Sequence, residues 1–196
     1  VFIDAGANIG TYAIRAGQQI GIQGKVVAIE AHPSIYQYLL KNIKLNKLNN
    51  VTPVNIALGS EQGTTKISYN ELNPGETHIA TNGEKSLIVP IQTLDEVLKK
   101  LNVTHVDYFK IDVEGFEFPL LLGAQETIRN NPKIVIQTEL IEGHSQRYGR
   151  SISQIIDLLS GLGLTPHRLD LAGTPSIIKQ FDLGLGYDVF WWKINN

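Results

Sequence analysis

The sequence contains no cysteine and no methionine, and its 196 residues carry a formal net charge of only −2 at pH 7. Without cysteine there is no disulfide framework, no thiolate metal site and no cysteine nucleophile. No apolar run approaches the roughly 20 residues that cross a bilayer, and no signal peptide precedes Val1. We therefore expect a soluble, cytoplasmic protein. The near-neutral charge also disfavours nucleic acid and anionic membranes as partners, because it provides no general attraction to polyanions.

The remaining composition is that of an ordinary globular protein, with 42% hydrophobic and 18% charged residues. A chain of this length can bury one well-formed core, and no repeat, low-complexity segment or linker divides it. We predict a single domain over residues 1–196. The sequence opens directly in an apolar run that reads as a core strand, so we also expect the domain to be incomplete at its N-terminal end.

The first segment with functional character, residues 1–12, joins an apolar run and an acid to a glycine-containing loop and a helical pattern. It predicts a buried strand, a tight loop and a helix, and in α/β sheets ligands bind at this end of the strand. The first amides of the helix would be free there, and Gly6 and Gly10 would let a ligand approach the backbone. The spacing lacks the middle glycine of a dinucleotide fingerprint, and Asp4 suits a cationic ligand better than a diphosphate. A nicotinamide-dependent oxidoreductase is therefore disfavoured, while a purely structural turn stays open.

A second acid, Glu30, ends the next predicted strand about 20 residues after the loop. In nucleoside-binding α/β folds, a carboxylate at this place accepts hydrogen bonds from both ribose hydroxyls. An acid that merely ends a strand in solvent is the alternative. Because the first loop points to the same ligand class, we favour ribose binding.

Two further acids, Asp112 and Glu114, follow another predicted strand and precede a glycine. One acid would be enough to stabilise the N-terminus of the next helix, and Asp112, Glu114 and Glu117 together exceed that need. Glu139 ends the following predicted strand, and His144 comes shortly after it. Both would lie over the same rim of the sheet as Asp112.

Strands and helices alternate through most of the sequence, and then two predicted strands, residues 164–171 and 187–193, follow one another without a helix between them. The alternation predicts an α/β fold with a parallel sheet, in which residues 51–58 are the third strand. Residues 61–92 replace the helical periodicity with turn formers and short β-prone pieces, which predicts a β-hairpin or loop excursion. Residues 73–78 of this excursion would form a mobile lid.

Residues 4–10 read D-x-G-A-N-x-G, and residues 110–117 read K-I-D-V-E-G-x-E. With Glu30, these segments resemble the FkbM family of class I S-adenosylmethionine (SAM) methyltransferases, over residues 1–165. The resemblance implies a Rossmann-like, seven-stranded sheet, mostly parallel, with an antiparallel last strand and helices on both faces. It also implies SAM as the cofactor, with its adenine beside the end of the third strand. The implied cofactor-binding residues are Asp4, Gly6, Asn8, Gly10, Thr11, Glu30, Ala31, Asn55, Ala57 and Asp112.

The activity of the family implies methyl transfer to a hydroxyl of a sugar, polyketide or similar small metabolite. Asp112 and Glu114 would take up the hydroxyl proton, with Glu139 and His144 as further candidates. Asp112 and Glu114 could instead hold a divalent cation, which we do not expect.

Two other functions stay open. Residues 30–33, Glu-Ala-His-Pro, and residues 41–46 are also similar to RNA methyltransferases. Against this alternative, the segment at Asp112 replaces the N-P-P-type motif of enzymes that methylate base amino groups. A non-catalytic module that binds SAM or another nucleoside is the second alternative, because an acceptor pocket is not legible from the sequence. The oligomeric state is not legible either.

Overall fold

The computed structural model describes residues 1–68, 77–81, 83–182, 184 and 186–194. Strands and helices alternate along most of this chain, as the hydrophobic periodicity predicts. The strands are β1 (Phe2–Ala5), β2 (Val26–Ile29), β3 (Val51–Val54), β4 (Ala57–Leu58), β5 (Gly63–Ser68), β6 (Ser86–Gln92), β7 (Tyr108–Ile111), β8 (Val135–Leu140), β9 (Thr165–Leu169), β10 (Pro175–Ile177) and β11 (Tyr187–Trp192). The helices are α1 (Thr11–Gln19), α2 (Pro33–Leu45), α3 (Leu94–Lys100), α4 (Glu117–Leu122), α5 (Gln125–Asn130), α6 (Glu142–Gln146) and α7 (Ile152–Gly161).

The central sheet has the strand order β10-β9-β11-β8-β7-β1-β2-β3. β1 pairs in parallel with β2 and with β7, and the pairs β2–β3 and β7–β8 are parallel as well. β11 lies between β8 and β9 and is antiparallel to both. This arrangement confirms the predicted Rossmann-like sheet, including its antiparallel last strand.

The predicted number of seven strands is wrong by one, because the central sheet has eight. The additional strand is β10, which has three exposed residues and pairs with β9 through a tight turn. Asp170 forms this turn by accepting hydrogen bonds at Oδ1 from the amides of Ala172 (2.9 Å) and Thr174 (2.8 Å). A strand this short carries no hydrophobic alternation, so the periodicity could not reveal it.

Helices cover both faces of the sheet. Alternate residues of a strand point to opposite faces, and in β2 Val26 and Ala28 pack with residues of α1 and α2. Val27 and Ile29 face the larger core instead, which contains apolar residues of α3, α4, α5 and α7. The sheet is therefore the middle of three layers.

The predicted third strand, residues 51–58, is broken at Asn55. β3 ends at Val54, and β4 leaves the central sheet to pair in parallel with β6. Asn55 Nδ2 donates to the carbonyl oxygens of Glu30 (2.7 Å) and Ala31 (3.1 Å). The side-chain amide thus takes the place that the backbone of a continuing strand would have had.

β4, β5 and β6 form a second sheet, in which β5 and β6 are antiparallel. Residues 77–79 return along β5, where the amide of Ser68 donates to the carbonyl of His78 (2.7 Å). The hydroxyl of Tyr148 donates to the carbonyl of Ile79 (2.9 Å), which ties this segment to the main body. Of the predicted lid, residues 73–76 lie outside the described residues. Within the described part of the chain, no helix is long and apolar enough to cross a membrane.

Candidate functional site

The first loop, residues 6–10 after β1, uses all five of its backbone amides internally. The acceptors are the carbonyl of Ile29 for Gly6 and Ala7 (3.0 and 2.9 Å), Glu30 Oε2 for Asn8 (2.8 Å), Asn8 Oδ1 for Ile9 (2.7 Å) and the carbonyl of Ala7 for Gly10 (2.8 Å). None of these five described residues therefore offers a free amide to a phosphate, which argues against a diphosphate ligand. The missing middle glycine of the motif led to the same expectation.

Gly6 and Gly10 have left-handed backbones, with φ of 79° and 98°. A Cβ at Gly6 would overlap the carbonyl oxygen of Asp112 in the neighbouring turn, and a Cβ at Gly10 would lie 2.6 Å from Leu39 Cδ1. The prediction that these glycines clear space for a ligand needs correction. The close approach that they permit is to atoms of the protein itself.

Asp4 lies near the end of β1 and is 1% exposed. Within the described residues, neither of its carboxylate oxygens has a hydrogen-bond partner of good geometry. Burial raises the pKa of Asp4 to about 6, although the ammonium of Lys110 and the amide of Ala13 act in the opposite direction. A buried carboxylate with spare acceptor capacity suits a cationic ligand.

Glu30 directly follows β2 and is 7% exposed. Its Oε2 accepts the amide of Asn8 and its Oε1 accepts the amide of His32, both at 2.8 Å. Burial raises the pKa of Glu30, and the two amides act against that rise. Because each carboxylate oxygen can accept a second hydrogen bond, the side chain can hold the first loop and bind hydroxyls at the same time.

The Asp112 turn, residues 112–116 after β7, has an unusual backbone. The amide of Phe116 donates to the carbonyl of Val113 (3.2 Å), and the two residues between them, Glu114 and Gly115, have φ of 54° and 99°. Positive φ at both central positions is the type I′ geometry, which favours glycine, asparagine and aspartate. For Glu114 this conformation costs about 1–2 kcal/mol. The backbone is therefore strained at a residue for which the sequence predicts a catalytic role.

Two of the predicted catalytic carboxylates have cationic or ionisable neighbours. Asp112 Oδ2 lies 2.8 Å from the ammonium of the buried Lys110, which in turn lies 4.5 Å from the centre of the Tyr12 ring. Glu114 Oε2 lies 3.4 Å from His144 Nδ1. Lys110 therefore balances the charge of Asp112 and orients it, and His144 and Glu114 form a second ionisable pair.

Glu139 differs from these acids, because it has no ion-pair partner among the described residues. Burial raises its pKa, and so do the negative charges of Asp112, Glu114 and Asp188. A carboxylate with a raised pKa is a stronger base than an exposed one.

A cleft lies at the carboxyl edge of the central sheet, next to the ends of β1, β2 and β7. Residues 77–79 form one of its walls. The predicted residues that line it are Gly6, Glu30, Ala31, Ala57 and Asp112. The lining residues that the sequence analysis missed include Ile29, Ile56, Leu58, Ile67, Ile79 and Phe116, which make the cleft largely apolar.

Two polar recesses adjoin this cleft, and Asp112 lines all three spaces. The first recess is lined by Asn8, Glu30 and Glu114 among others, and the second by Tyr12, Lys110, Gln137, Glu139 and Asp188. Lys110 and Phe116 lie inside the K-I-D-V-E-G-F-E segment, so the motif could have indicated them. Nothing in the sequence marks Asp188, which β11 brings to the site.

The other predicted residues do not line these spaces in the described part of the chain. Asp4 is buried, and Gly10 packs against Leu39. Thr11 is exposed in the first turn of α1, and Asn55 holds the carbonyls beyond β2.

A mostly parallel sheet with one antiparallel strand inserted near its end, and with strand-end acids around a cleft, defines a Rossmann-like class I methyltransferase fold. The model of the FkbM methyltransferase domain matches residues 4–165. The chain therefore belongs to the FkbM methyltransferase family, as its motifs indicate.

Methyltransferases are among the curated relatives of the chain. Methyltransferase sdnD of Sordaria araneosa is 26% identical over 172 residues, with 69% of this chain and 65% of the relative covered. Hexuronic acid methyltransferase AglP of Haloferax volcanii is 25% identical over 138 residues, with 70% of this chain and 55% of the relative covered. The chain thus spans less than two thirds of the length of either relative.

Solved structures share the fold over nearly the whole chain. Methyltransferase FkbM from Methylobacillus flagellatus KT is 15% identical, with a TM-score of 0.57 and with 97% of this chain and 43% of that chain covered. The O-methyltransferase from Bacillus cereus, in complex with SAH, is 14% identical, with a TM-score of 0.56 and with 98% of this chain and 73% of that chain covered. At these identities the likeness shows the fold.

Proposed function

We propose that the chain is a single SAM-dependent methyltransferase domain, with residues 61–92 as an excursion of which Ile67 and residues 77–79 line the cleft, and that it methylates a hydroxyl of a small molecule. The observation that carries this proposal is the row of acids Glu30, Asp4 and Asp112, which lie at the ends of the adjacent strands β2, β1 and β7. Membership of the FkbM family supports methyl transfer. The similar Bacillus cereus enzyme, an O-methyltransferase in complex with SAH, supports the cofactor.

The residues present fit SAM in three places. The apolar walls beside Ala57 and Phe116 suit a purine ring, and Glu30 keeps acceptor capacity for ribose hydroxyls. The buried carboxylate of Asp4 has no partner of good geometry among the described residues, and it suits a positively charged group nearby. When bound, SAM supplies an electrophilic methyl group on a positively charged sulfur. Asn8, Gly10 and Thr11 then act by shaping the loop and the start of α1.

For the proton of the acceptor hydroxyl, Glu139 is the best of the four candidate bases. It lines the recess that contains Asp112, it is free of ion pairs among the described residues, and its pKa is raised. Asp112 is less suitable, because the ammonium of Lys110 lies at its Oδ2. We assign to Asp112 the orientation of the reacting groups. Glu114 and His144 pair with each other on the far side of the same rim.

A divalent cation at Asp112 and Glu114 is the weaker alternative. Lys110 already places a positive charge at Asp112, which weakens the attraction of that carboxylate for a second cation. Within the described residues, no group of three or more His, Asp or Glu side chains is arranged to hold a metal ion.

The second recess supports a hydroxylated acceptor. Gln137, Glu139 and Asp188 offer amide and carboxylate oxygens there, which accept hydrogen bonds from hydroxyl groups. A sugar, polyketide or similar metabolite fits this chemistry, and the relative AglP is named for hexuronic acid. A net charge of −2 gives an RNA acceptor no comparable support.

The test is an assay of the transfer of a labelled methyl group from SAM to a panel of sugars, lipids and RNA. The labelled product is detected by mass spectrometry. We expect an O-methylated small molecule, turnover that is unchanged by EDTA, and a fall in kcat of about 10²–10⁴-fold in Glu139→Gln, since a positioned base contributes that much. Asp157→Asn, on the exposed side of α7, is the matched control and should leave kcat unchanged. Transfer to RNA alone would establish the RNA methyltransferase instead. SAM binding without transfer to any acceptor would indicate a binding module.

A further inference from the structure

Glu117, the first residue of α4, is a buried acid that lines none of the three spaces among the described residues. It is 3% exposed. Its Oε1 accepts the amides of Gly115 (3.1 Å) and Val113 (3.3 Å), both of which belong to the Asp112 turn. The side chain therefore bridges the inside of the turn from the helix that follows it.

Burying this carboxylate is costly. Burial raises the pKa of Glu117 to about 7 although its backbone hydrogen bonds favour the ionised form, and the charge of Asp112 adds to the rise. An apolar residue at the start of α4 would avoid that cost. We therefore expect the two hydrogen bonds of Glu117 to have a role that an apolar residue at this position could not fill.

The Asp112 turn needs such support, because its backbone is strained at Glu114. Strained conformations persist only where the surroundings determine them. Two contacts do so here: Gly115 packs directly against the carbonyl of His144, which leaves no room for a Cβ, and Glu117 holds the amides on both sides of Glu114.

We infer that Glu117 is a positioning residue of the methyl-transfer site, which fixes the Asp112 turn and so sets the place of Asp112 in the cleft and of Glu114 in the adjoining recess. This inference rests on the proposed function. According to this inference, Glu117 fixes the turn because its side chain is long enough to reach the two amides. The charge of the side chain is secondary.

Two variants of Glu117 separate the effect of side-chain length from the effect of charge. Glu117→Gln keeps an oxygen at the same distance from the backbone but removes the charge, whereas Glu117→Asp keeps the charge and shortens the side chain by one methylene. We expect Glu117→Gln to keep kcat within about threefold, because its amide oxygen can still accept both hydrogen bonds. We expect Glu117→Asp to lower kcat by about 10–100-fold with the KM for SAM within about threefold, since displacements near 1 Å have such effects.

The matched control is Asp95→Ala. Asp95 also accepts backbone amides with its carboxylate, from Thr127 (2.8 Å) and Glu126 (3.1 Å), but it does so at α5, outside the cleft lining. It should lower the stability and leave kcat unchanged. Amide hydrogen exchange of residues 113 and 115 gives a second readout that needs no ligand, and both amides should exchange faster in Glu117→Asp than in the wild type.

Equal loss of turnover in Glu117→Gln and Glu117→Asp would overturn the inference, because keeping the reach of the side chain would then not preserve turnover. Faster exchange in Glu117→Asp with wild-type kcat would overturn it as well. A wild-type chain that binds no SAH and transfers no methyl group contradicts the proposed function instead, and this result is distinct because the exchange measurement is made without ligand.

Discussion

The first loop and the Asp112 turn follow adjacent parallel strands, and each is held by a buried carboxylate that accepts two backbone amides. Glu30 accepts from Asn8 and His32, and Glu117 accepts from Val113 and Gly115. Burial raises the pKa of both acids. The two segments thus solve the same problem, which is to fix a tight loop at the edge of a sheet.

They differ in where the carboxylate faces. Glu30 comes from a neighbouring strand and lines the cleft, so it can hold its loop and also bind a ligand. Glu117 comes from the helix just after its turn and is enclosed, whereas Asp112 and Glu114 of that turn line the recess beside the cleft. The same pair of hydrogen bonds thus leaves one carboxylate open to the cleft and the other enclosed, depending on the element that carries it.

The largest effect should come from the contact between the two segments. Gly6→Ala and Gly10→Ala both place a Cβ on a residue with positive φ, but only the first meets rigid backbone, the Asp112 carbonyl. We expect Gly6→Ala to lower the free energy of unfolding by about 3–5 kcal/mol and Gly10→Ala by about 1–2, because the Leu39 side chain can move. Urea denaturation measures both. Equal losses would show that the segments do not depend on their close packing.

The second-largest effect is the pH dependence of stability that Asp4 causes. Asp4 lies in β1, the strand that precedes the first loop. Its pKa is about 6 in the folded chain, against an ordinary 3.8. Between pH 4 and 6 the folded state therefore holds a proton that the unfolded chain has lost, so the free energy of unfolding falls as the pH rises, by about 3 kcal/mol in total.

Asp4→Asn should remove this fall. The variant and the wild type should be similar in stability near pH 4, and the variant should be the more stable near pH 7. Glu117 contributes a slope of the same sign to both proteins, so it cancels in the difference between them. Parallel stability curves from pH 4 to 7 would contradict the raised pKa of Asp4.

The smallest of the three effects is on SAH binding, and it tests whether the cleft-facing side of the Glu30 carboxylate binds a ligand. Glu30→Ala should weaken SAH binding by about 2–3 kcal/mol, through the loss of two charge-assisted hydrogen bonds. Asp170→Ala is the matched control, because Asp170 also accepts two backbone amides but forms the distant β9–β10 turn. Calorimetry with SAH should show no change for the control. A loss below threefold in Glu30→Ala would mean that Glu30 only holds its loop, as Glu117 does.

Much of the fold could be predicted from the sequence, because each long element carries its own periodicity. The pattern indicated the strand ends at Glu30 and Asp112 and the two closing strands. It failed at Asn55, where a side chain replaces a backbone partner, and at Pro175–Ile177, which is too short to show alternation. Both failures depend on tertiary contacts that local patterns do not contain.

The site was less accessible to sequence reasoning. Acids after strands were found because chemistry and position agree, whereas the apolar lining residues resemble core residues in any sequence. For Gly6, the atom that excludes a side chain is the carbonyl oxygen of Asp112, which follows a strand about 100 residues later. Whether a glycine clears space for a ligand or for the chain itself is decided only by the folded neighbour.

β11 is the last of the eight central strands in sequence, yet it lies between β8 and β9. Until it is inserted, the facing edges of both neighbours lack a partner and are open to pairing with other chains. Both tryptophans of the sequence belong to this strand. Trp191 is buried with its Nε1 donating to Thr138 Oγ1 (2.9 Å), and Trp192 stacks on His167 at 3.5 Å. The tryptophan fluorescence of the protein is consequently a probe of the insertion of β11 between its two neighbours.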